Sequence, residues 1–307
     1  MKSSKVVSNL MLILTALIWG SSFVAQSVGM DYVGPFTFNA VRSLVGGIVL
    51  IPVILLMNKS KAKDKIEGEE ATKGGFNKTL LIGGILCGVA LFAGSTFQQF
   101  GLMYTTAGKS GFITALYIII VPLLGIFIKK KVPLKVWLCV LIAMIGFYLL
   151  SINEGFAINK GDLLTLICSF FFSFHILLID YYSPRVDGVQ MSSIQFFVAG
   201  IISLIATFTF EDPQISAILS AWAPILYAGV LSCGVAYTLQ VVAQKNTDPV
   251  VASLLLSLES VFAVIAGWLI LIQSLSLKEG FGCVLVFIAI VITQLPSRQS
   301  KNNSNLN

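Results

Sequence analysis

The sequence has very few charged residues for its length. Of 307 residues, 11% are Asp, Glu, Lys or Arg, whereas a soluble globular domain carries about a quarter. Lipid must therefore be the solvent for much of the chain, in agreement with a mean hydropathy of +0.91. The five cysteines all lie in apolar stretches without metal-ligand spacing, so we expect small buried residues rather than disulfides or a metal site.

Sequence motifs of catalysis are also missing. The chain contains no GxxxxGK[ST] loop, no GxSxG and no HExxH, so neither ATP hydrolysis nor membrane-bound hydrolysis is indicated. We predict no enzymatic activity, no cofactor and no metal. The net charge of +6 comes from lysines between apolar stretches, which indicates membrane topology and not nucleic-acid binding.

Ten apolar stretches are long enough to cross a bilayer, which takes about 20 residues each. The predicted helices cover about residues 8–29, 35–57, 79–103, 107–128, 134–152, 161–182, 189–210, 218–244, 248–272 and 276–295. Stretches of this length do not fit a β-barrel, whose strands are shorter and alternate in polarity. The predicted fold class is an all-α polytopic membrane protein.

The distribution of Lys and Arg predicts the orientation. With the N-terminus inside, inside segments hold 16 of these residues, outside segments hold three, and one lies within a span. This bias predicts a multi-pass protein of the cell membrane with both termini cytoplasmic. The first apolar stretch is too long for a cleaved signal peptide. The loop 58–78 is expected to be mobile and the tail 296–307 disordered.

The two halves of the chain resemble each other. An offset of 141 residues aligns 93–112 with 234–253 and places Gln99 on Gln240 and Thr106 on Thr247. We predict five-helix repeats over 1–152 and 153–295. An odd number of spans makes the second repeat enter the membrane from the opposite side. Such inverted repeats are typical of secondary transporters, whose substrate site lies between the halves near the midplane.

Five segments carry a family resemblance. They read ALIWGSSFVA (16–25), PFTFNAVR (35–42), TAGKSGFITALYIIIVP (106–122), GDLLTLICSFFFSFHILLID (161–180) and SLLLSLESVFAVIAGW (253–268). In their order and spacing the chain resembles the drug/metabolite transporter superfamily, in its EamA-type branch with two five-helix domains. The resemblance implies a membrane carrier, often an exporter of amino acids or related metabolites.

The chain departs from the pattern of that family in two places. Ser260 follows Glu259 where family members often have proline, and Lys130 and Gln273 stand near helix ends where acids are common. These departures concern local helix geometry and loop pairing.

Three ionisable residues lie inside predicted spans, where charge is costly and often functional. Glu259 lies roughly 18 Å from the start of its helix, where it could carry a coupling proton, bind a substrate amine or be a structural acid. His175 lies roughly 21 Å deep, where it could relay a proton with Glu259 or donate to a backbone carbonyl. Arg42 lies roughly 12 Å deep and could bind a substrate carboxylate, pair with Glu259 or snorkel outward.

Four neutral side chains complete the candidate site. Gln99 and Gln240 could line the cavity from both halves. Trp19 and Tyr117 could stack on a substrate or close a gate, or simply pack in the core. Pro52 and Pro122 predict helix kinks.

We predict a secondary transporter, an exporter of small organic metabolites working by alternating access, with proton coupling left open. Its partners are the lipid bilayer and a small-molecule substrate, without nucleic acid, and the sequence leaves open a monomer or a homodimer. The alternative is a non-transporting membrane sensor or scaffold, whose one sizeable partner surface would be the loop 58–78.

Overall fold

The computed structural model describes residues 2–66, 77–127, 132–151, 159–271 and 277–294, and all regular structure within these ranges is helical. The tail 296–307, the central part of the loop 58–78, Lys130 and Gln273 lie outside the described residues.

Ten long helices follow one another along the described ranges. They are α1 (Lys2–Gly29), α2 (Pro35–Ile66), α3 (Lys78–Leu102), α4 (Ala107–Thr114 and Tyr117–Phe127), α5 (Leu134–Ser151), α6 (Lys160–Tyr182), α7 (Gly188–Phe210), α8 (Trp222–Gln244), α9 (Pro249–Leu256 and Leu258–Leu271) and α10 (Leu277–Gln294). Among the described residues, eight helices are long and apolar enough to cross a membrane, and α5 and α10 contribute shorter apolar segments. The predicted polytopic all-α fold is confirmed.

Three helix bounds differ from the sequence prediction, and the first is α1, which begins at Lys2 instead of near residue 8. Helix α2 continues to Ile66 instead of ending near residue 57, because the lysine-rich segment that follows the apolar stretch has good intrinsic helix propensity. The eighth span begins at Trp222, and the residues before it form a separate short helix, Ile215–Ser220.

The helices pack in pairs that are symmetric under exchange of the two halves. Helix α2 packs on α7, α5 on α10 and α4 on α9, each on its own counterpart. The contacts of α3 with α6 and α7 are matched by those of α8 with α1 and α2. The halves therefore interlock, and the core of the bundle lies between them.

Helices α4 and α9 are broken at matching points. Thr106 caps the start of α4 and Asp248 caps the start of α9, each with its side chain accepting a backbone N–H. These two caps are 142 residues apart. The first segments of α4 and α9 end at Thr114 and Leu256, which are also 142 residues apart. The offset of 141 predicted from the sequence is thus one residue short, so Gln98, not Gln99, is the counterpart of Gln240.

Helix α8 contains a π-helical segment, Tyr227–Tyr237, whereas its counterpart α3 is α-helical throughout. Helix α1 supports this segment: Thr15 Oγ1 donates to the carbonyl of Ala236 at 3.0 Å, and the hydroxyls of Ser21 and Tyr227 lie 2.6 Å apart. Such segments are frequent at functional sites, and this one contributes two residues to the cavity described below.

Candidate functional site

A central cavity of about 30 Å³ lies between the two halves. Residues from seven helices line it: Trp19, Phe23, Gln26, Arg42, Gln98, Thr114, Tyr117, Phe172, His175, Ile176, Ser232, Tyr237, Gln240 and Glu259. A volume of this size holds about one or two water molecules. The central space is therefore too small for a metabolite, which can enter only if helices move apart.

Glu259 is buried at the break in α9. It is the second residue of the segment Leu258–Leu271, so its carboxylate belongs to a first helical turn, where unpaired N–H groups and the helix dipole favour negative charge. The Tyr117 hydroxyl, from the break in α4, donates to Glu259 Oε1 at 2.8 Å. The broken helices α4 and α9 are thus joined at the cavity by the hydrogen bond between Tyr117 and Glu259.

Arg42 projects from α2 into the same cavity and is buried. Its Nη1 donates to Gln26 Oε1 at 2.7 Å, and its guanidinium lies 5.5 Å from the centre of the Phe38 ring. Both Arg42 and Glu259 lie in the described part of the chain, and no ion pair joins them. The side chain of Arg42 is therefore neither paired with Glu259 nor exposed by snorkelling.

His175 lines the cavity from α6. Its Nε2 lies 2.9 Å from Gln195 Oε1, and since a carboxamide oxygen only accepts, the imidazole is the donor. His175 and Glu259 share the cavity wall, but the hydrogen bond of the imidazole goes to Gln195. The direct His175–Glu259 pair considered from the sequence is not formed in this arrangement.

Tyr237 is the aromatic centre of the cavity wall. Its ring lies 4.5 Å from that of Trp19, 5.8 Å from that of His175 and 5.7 Å from that of Phe196, measured between centroids. Among the described polar atoms, Trp19 Nε1 and Gln240 Oε1 are buried and have no hydrogen-bond partner. Both residues line the cavity, so one donor and one acceptor beside it have no partner.

Gln99 does not line the cavity. It is fully buried beside α1, where its Nε2 donates to the carbonyl of Gln26 at 3.2 Å. The neighbouring Gln98 lines the cavity instead, with its Nε2 3.2 Å from Thr114 Oγ1. Successive helix residues point about 100° apart, so the register error of one residue in the repeat selected the wrong glutamine.

Gln26 is a lining residue that the sequence prediction missed. Its side chain accepts from Arg42 and its carbonyl accepts from Gln99, so it joins three helices. Its spacing in the sequence could have identified it. Trp19, Phe23 and Gln26 stand at i, i+4 and i+7 and therefore lie on one face of α1.

Within the described ranges, no three His, Cys, Asp or Glu side chains are grouped as metal ligands. The four described cysteines are buried and free. The polar chemistry of the site therefore rests on Arg42, Glu259, His175 and neutral groups.

Comparison with known proteins supports the fold and the class of function. The chain matches the EamA-like transporter family twice, over residues 7–152 and 159–295. It is 33% identical to an "Uncharacterized transporter" of Archaeoglobus fulgidus over 293 residues, 95% of this chain and 87% of that protein. It is 22% identical to "Uncharacterized transporter YoaV" of Bacillus subtilis over 287 residues, 91% of this chain and 94% of that protein.

A solved structure described as "Crystal structure of protein" superposes with a TM-score of 0.73 at 19% identity, covering 98% of this chain and 99% of that one. This likeness supports the fold alone. The two consecutive family matches, together with the ten helices, confirm the predicted tandem five-helix repeats and the resemblance to EamA-type proteins.

Proposed function

Because the chain belongs to the EamA-like transporter family, it is a multi-pass membrane transporter, and we propose that it exports a small zwitterionic metabolite, such as an amino acid or a related compound. The export is secondary active transport by alternating access.

One observation carries the choice of substrate. Arg42 and Glu259 line the same buried cavity, yet each bonds a neutral side chain and they do not pair with each other. When opposite charges buried within one cavity pair, their attraction offsets part of the cost of removing them from water. Keeping them apart suits a ligand that brings its own carboxylate to Arg42 and its own ammonium group to Glu259.

Alternating access is supported by the arrangement of the repeats. The cavity lies between interlocked halves, and two broken helices meet at it, as in other secondary transporters built from inverted repeats. Since the cavity holds only about one or two waters, it must widen to admit a substrate, and alternating access widens it toward each side in turn.

Glu259 is the proposed proton carrier. A carboxyl group in mid-membrane is costly as an anion and cheap as an acid, so exchange of a proton for the substrate ammonium couples the two fluxes. His175, on the same cavity wall, is the proposed relay between Glu259 and the Gln195 side of the bundle.

The proposed orientation places both termini in the cytoplasm, on the Lys and Arg distribution. Reporters fused to each terminus test it. Protease added to intact cells should leave both reporters uncut and should cut both once the membrane is opened, whereas cutting in intact cells would reverse the assignment.

The transport proposal is tested with the purified protein in proteoliposomes. Counterflow of labelled amino acids is compared with that of their decarboxylated and deaminated analogues, with and without a pH gradient. The expected result is exchange of at least one zwitterion and of neither of its analogues. Equal exchange of an analogue would overturn the assignment of the two charges.

A further inference from the structure

In the described part of the chain, one end of the bundle, here called the Glu211 end, holds two charged links between the repeats. Helices alternate in direction, so α2, α4 and α6 begin at this end, and α3 and α7 finish there. Glu211 directly follows α7, and Asp162 lies in the first turn of α6. Both acids belong to the second repeat, and both bind the first.

The first link is a helix cap supplied across the repeat interface. Glu211 Oε1 accepts from the backbone N–H of Phe36 at 2.8 Å, and Oε2 accepts from the N–H and hydroxyl of Thr37 at 2.9 and 2.6 Å. The carboxylate thus satisfies unpaired donors of α2 and meets the positive end of its dipole. Gly34 makes room for it, because a Cβ on Gly34 would collide with the Glu211 carboxylate.

The second link is an ion pair within a hydrogen-bonded cluster. Lys109 Nζ, from the first segment of α4, lies 2.7 Å from Asp162 Oδ2, and Thr105 Oγ1 donates to Asp162 Oδ1 at 3.1 Å. Asp162 also accepts from the backbone N–H of Asn159. A buried carboxylate with this many donors is held more firmly than an exposed surface pair.

An apolar layer lies between these links and the cavity. Phe23, Leu102, Ala107 and Ala263 form a buried cluster where α3 ends and α4 begins, and Phe23 also lines the cavity. Opening the cavity toward the Glu211 end by way of this layer would part the repeats at the two links beside it.

At the opposite end α7 begins at its own cap, Asp187. Among the described residues there, Gln190 Nε2 donates to Asn58 Oδ1 at 3.5 Å. At the repeat offset of 142 residues, the counterpart of Lys109 is Val251, a partly buried apolar residue. The Lys109–Asp162 ion pair is therefore not repeated at that position.

We propose that Glu211 and Asp162 form the latch of one gate, which holds the Glu211 end closed and must be released in each transport cycle. The inference rests on the alternating access proposed above, but not on the substrate or on the proton. Neutralising either acid should shift the population toward a conformation in which the central cavity is open at the Glu211 end.

The test measures access to the cavity by labelling rather than by transport. Ser232→Cys places a thiol on the cavity wall of the full-length protein, and a membrane-impermeant methanethiosulfonate cation is applied to right-side-out and inside-out vesicles. Labelling of the protein without the new cysteine gives the background of the native thiols.

Adding Glu211→Gln or Asp162→Asn should raise the labelling rate about tenfold from one side of the membrane, the same side for both, because each change removes charge-assisted hydrogen bonds. Gly34→Ala should act like Glu211→Gln by displacing the carboxylate. Asp212→Asn, which neutralises the adjacent exposed acid, should leave the rate unchanged.

Unchanged labelling from both sides in the Glu211 and Asp162 variants, or an equal rise in the Asp212 control, would overturn the latch. A melting temperature measured for each purified variant separates gate opening from unfolding, and Gly34→Ala supplies the result if Glu211→Gln does not fold. Because labelling needs no substrate, failure of the substrate proposal leaves this test intact.

Discussion

The hydroxyl of Tyr117 donates to the carboxylate of Glu259 at 2.8 Å across the interface between the repeats, and these two residues are repeat counterparts, 142 positions apart. Each stands just after the break in its helix. Equivalent positions of the two repeats therefore meet at the centre of the bundle. The first repeat has a tyrosine at this position and the second has a glutamate.

Glu259→Gln should abolish transport driven by a pH gradient and weaken counterflow without a gradient, because it removes both the proton site and the proposed partner of the substrate ammonium group. The amide keeps the shape of the side chain and can still accept from Tyr117, but it cannot carry a proton. Flux in proteoliposomes with and without an imposed gradient measures the difference. Gradient-driven flux at the wild-type level in this variant would remove Glu259 from the coupling mechanism.

Tyr117→Phe should destabilise the protein by about 1–3 kcal/mol, because it leaves a buried carboxyl group without its donor. The same substitution in the Glu259→Gln background should cost less, since a neutral amide is cheaper to leave unpaired. A double-mutant cycle on unfolding free energies in detergent measures the coupling. Strictly additive effects would mean that the hydrogen bond contributes nothing.

Arg42→Gln should weaken binding of a carboxylate-bearing substrate by about tenfold or more, the loss expected for a charge-assisted hydrogen bond. Arg42→Lys is the matched control. It keeps the charge but loses the planar fork that can hold Gln26 and a carboxylate together, so an intermediate affinity is expected. Equal affinity of the wild-type protein and the Gln variant would assign Arg42 a purely structural role.

Gly20→Val should strongly destabilise the contact between α1 and α9. A Cβ at Gly20 would lie 2.7 Å from the carbonyl oxygen of Glu259 and 2.8 Å from the nitrogen of Ala263, both backbone atoms that cannot move aside. The expected loss is about 1–3 kcal/mol or more, with loss of transport, because the same turn carries Glu259.

Gly280→Ala is the control for that substitution. A Cβ on Gly280 meets nothing within 4 Å, so the change should be neutral or stabilising by up to about 1 kcal/mol through helix propensity. Thermal unfolding of the two variants side by side distinguishes steric conflict from a general cost of replacing glycine.

Charge and hydropathy predicted the spans because a bilayer tolerates few alternatives to apolar helices. The two repeats were predicted from the offset between similar segments. The depths of Arg42, His175 and Glu259 in their helices were predicted from the number of residues between each side chain and its helix end. Six of the seven predicted site residues line the cavity, and Gln99 does not. A shift of one residue in the repeat is invisible in a sparse alignment, but it rotates a helix position by about 100°.

The helix breaks could not be predicted in the same way. In α4, Pro122 predicts a kink. In α9 no proline gives such a signal, because Ser260 stands where family members often have proline, and the helix is interrupted at Ser257. The hydrogen-bond partners of the charged residues were equally hidden. Gln26 and Gln195 bind Arg42 and His175 through tertiary packing, which the periodicity of a single helix does not contain.

The contact between Tyr117 and Glu259 also bears on how such a chain can arise. Counterparts that touch lie close to the two-fold axis relating the repeats, so a dimer of identical five-helix subunits would set two copies of one side chain against each other there. Two carboxylates would repel, and two phenols would not release a proton near neutral pH. Joining the subunits in one polypeptide lets the two positions differ and brings the mixed pair together in every molecule.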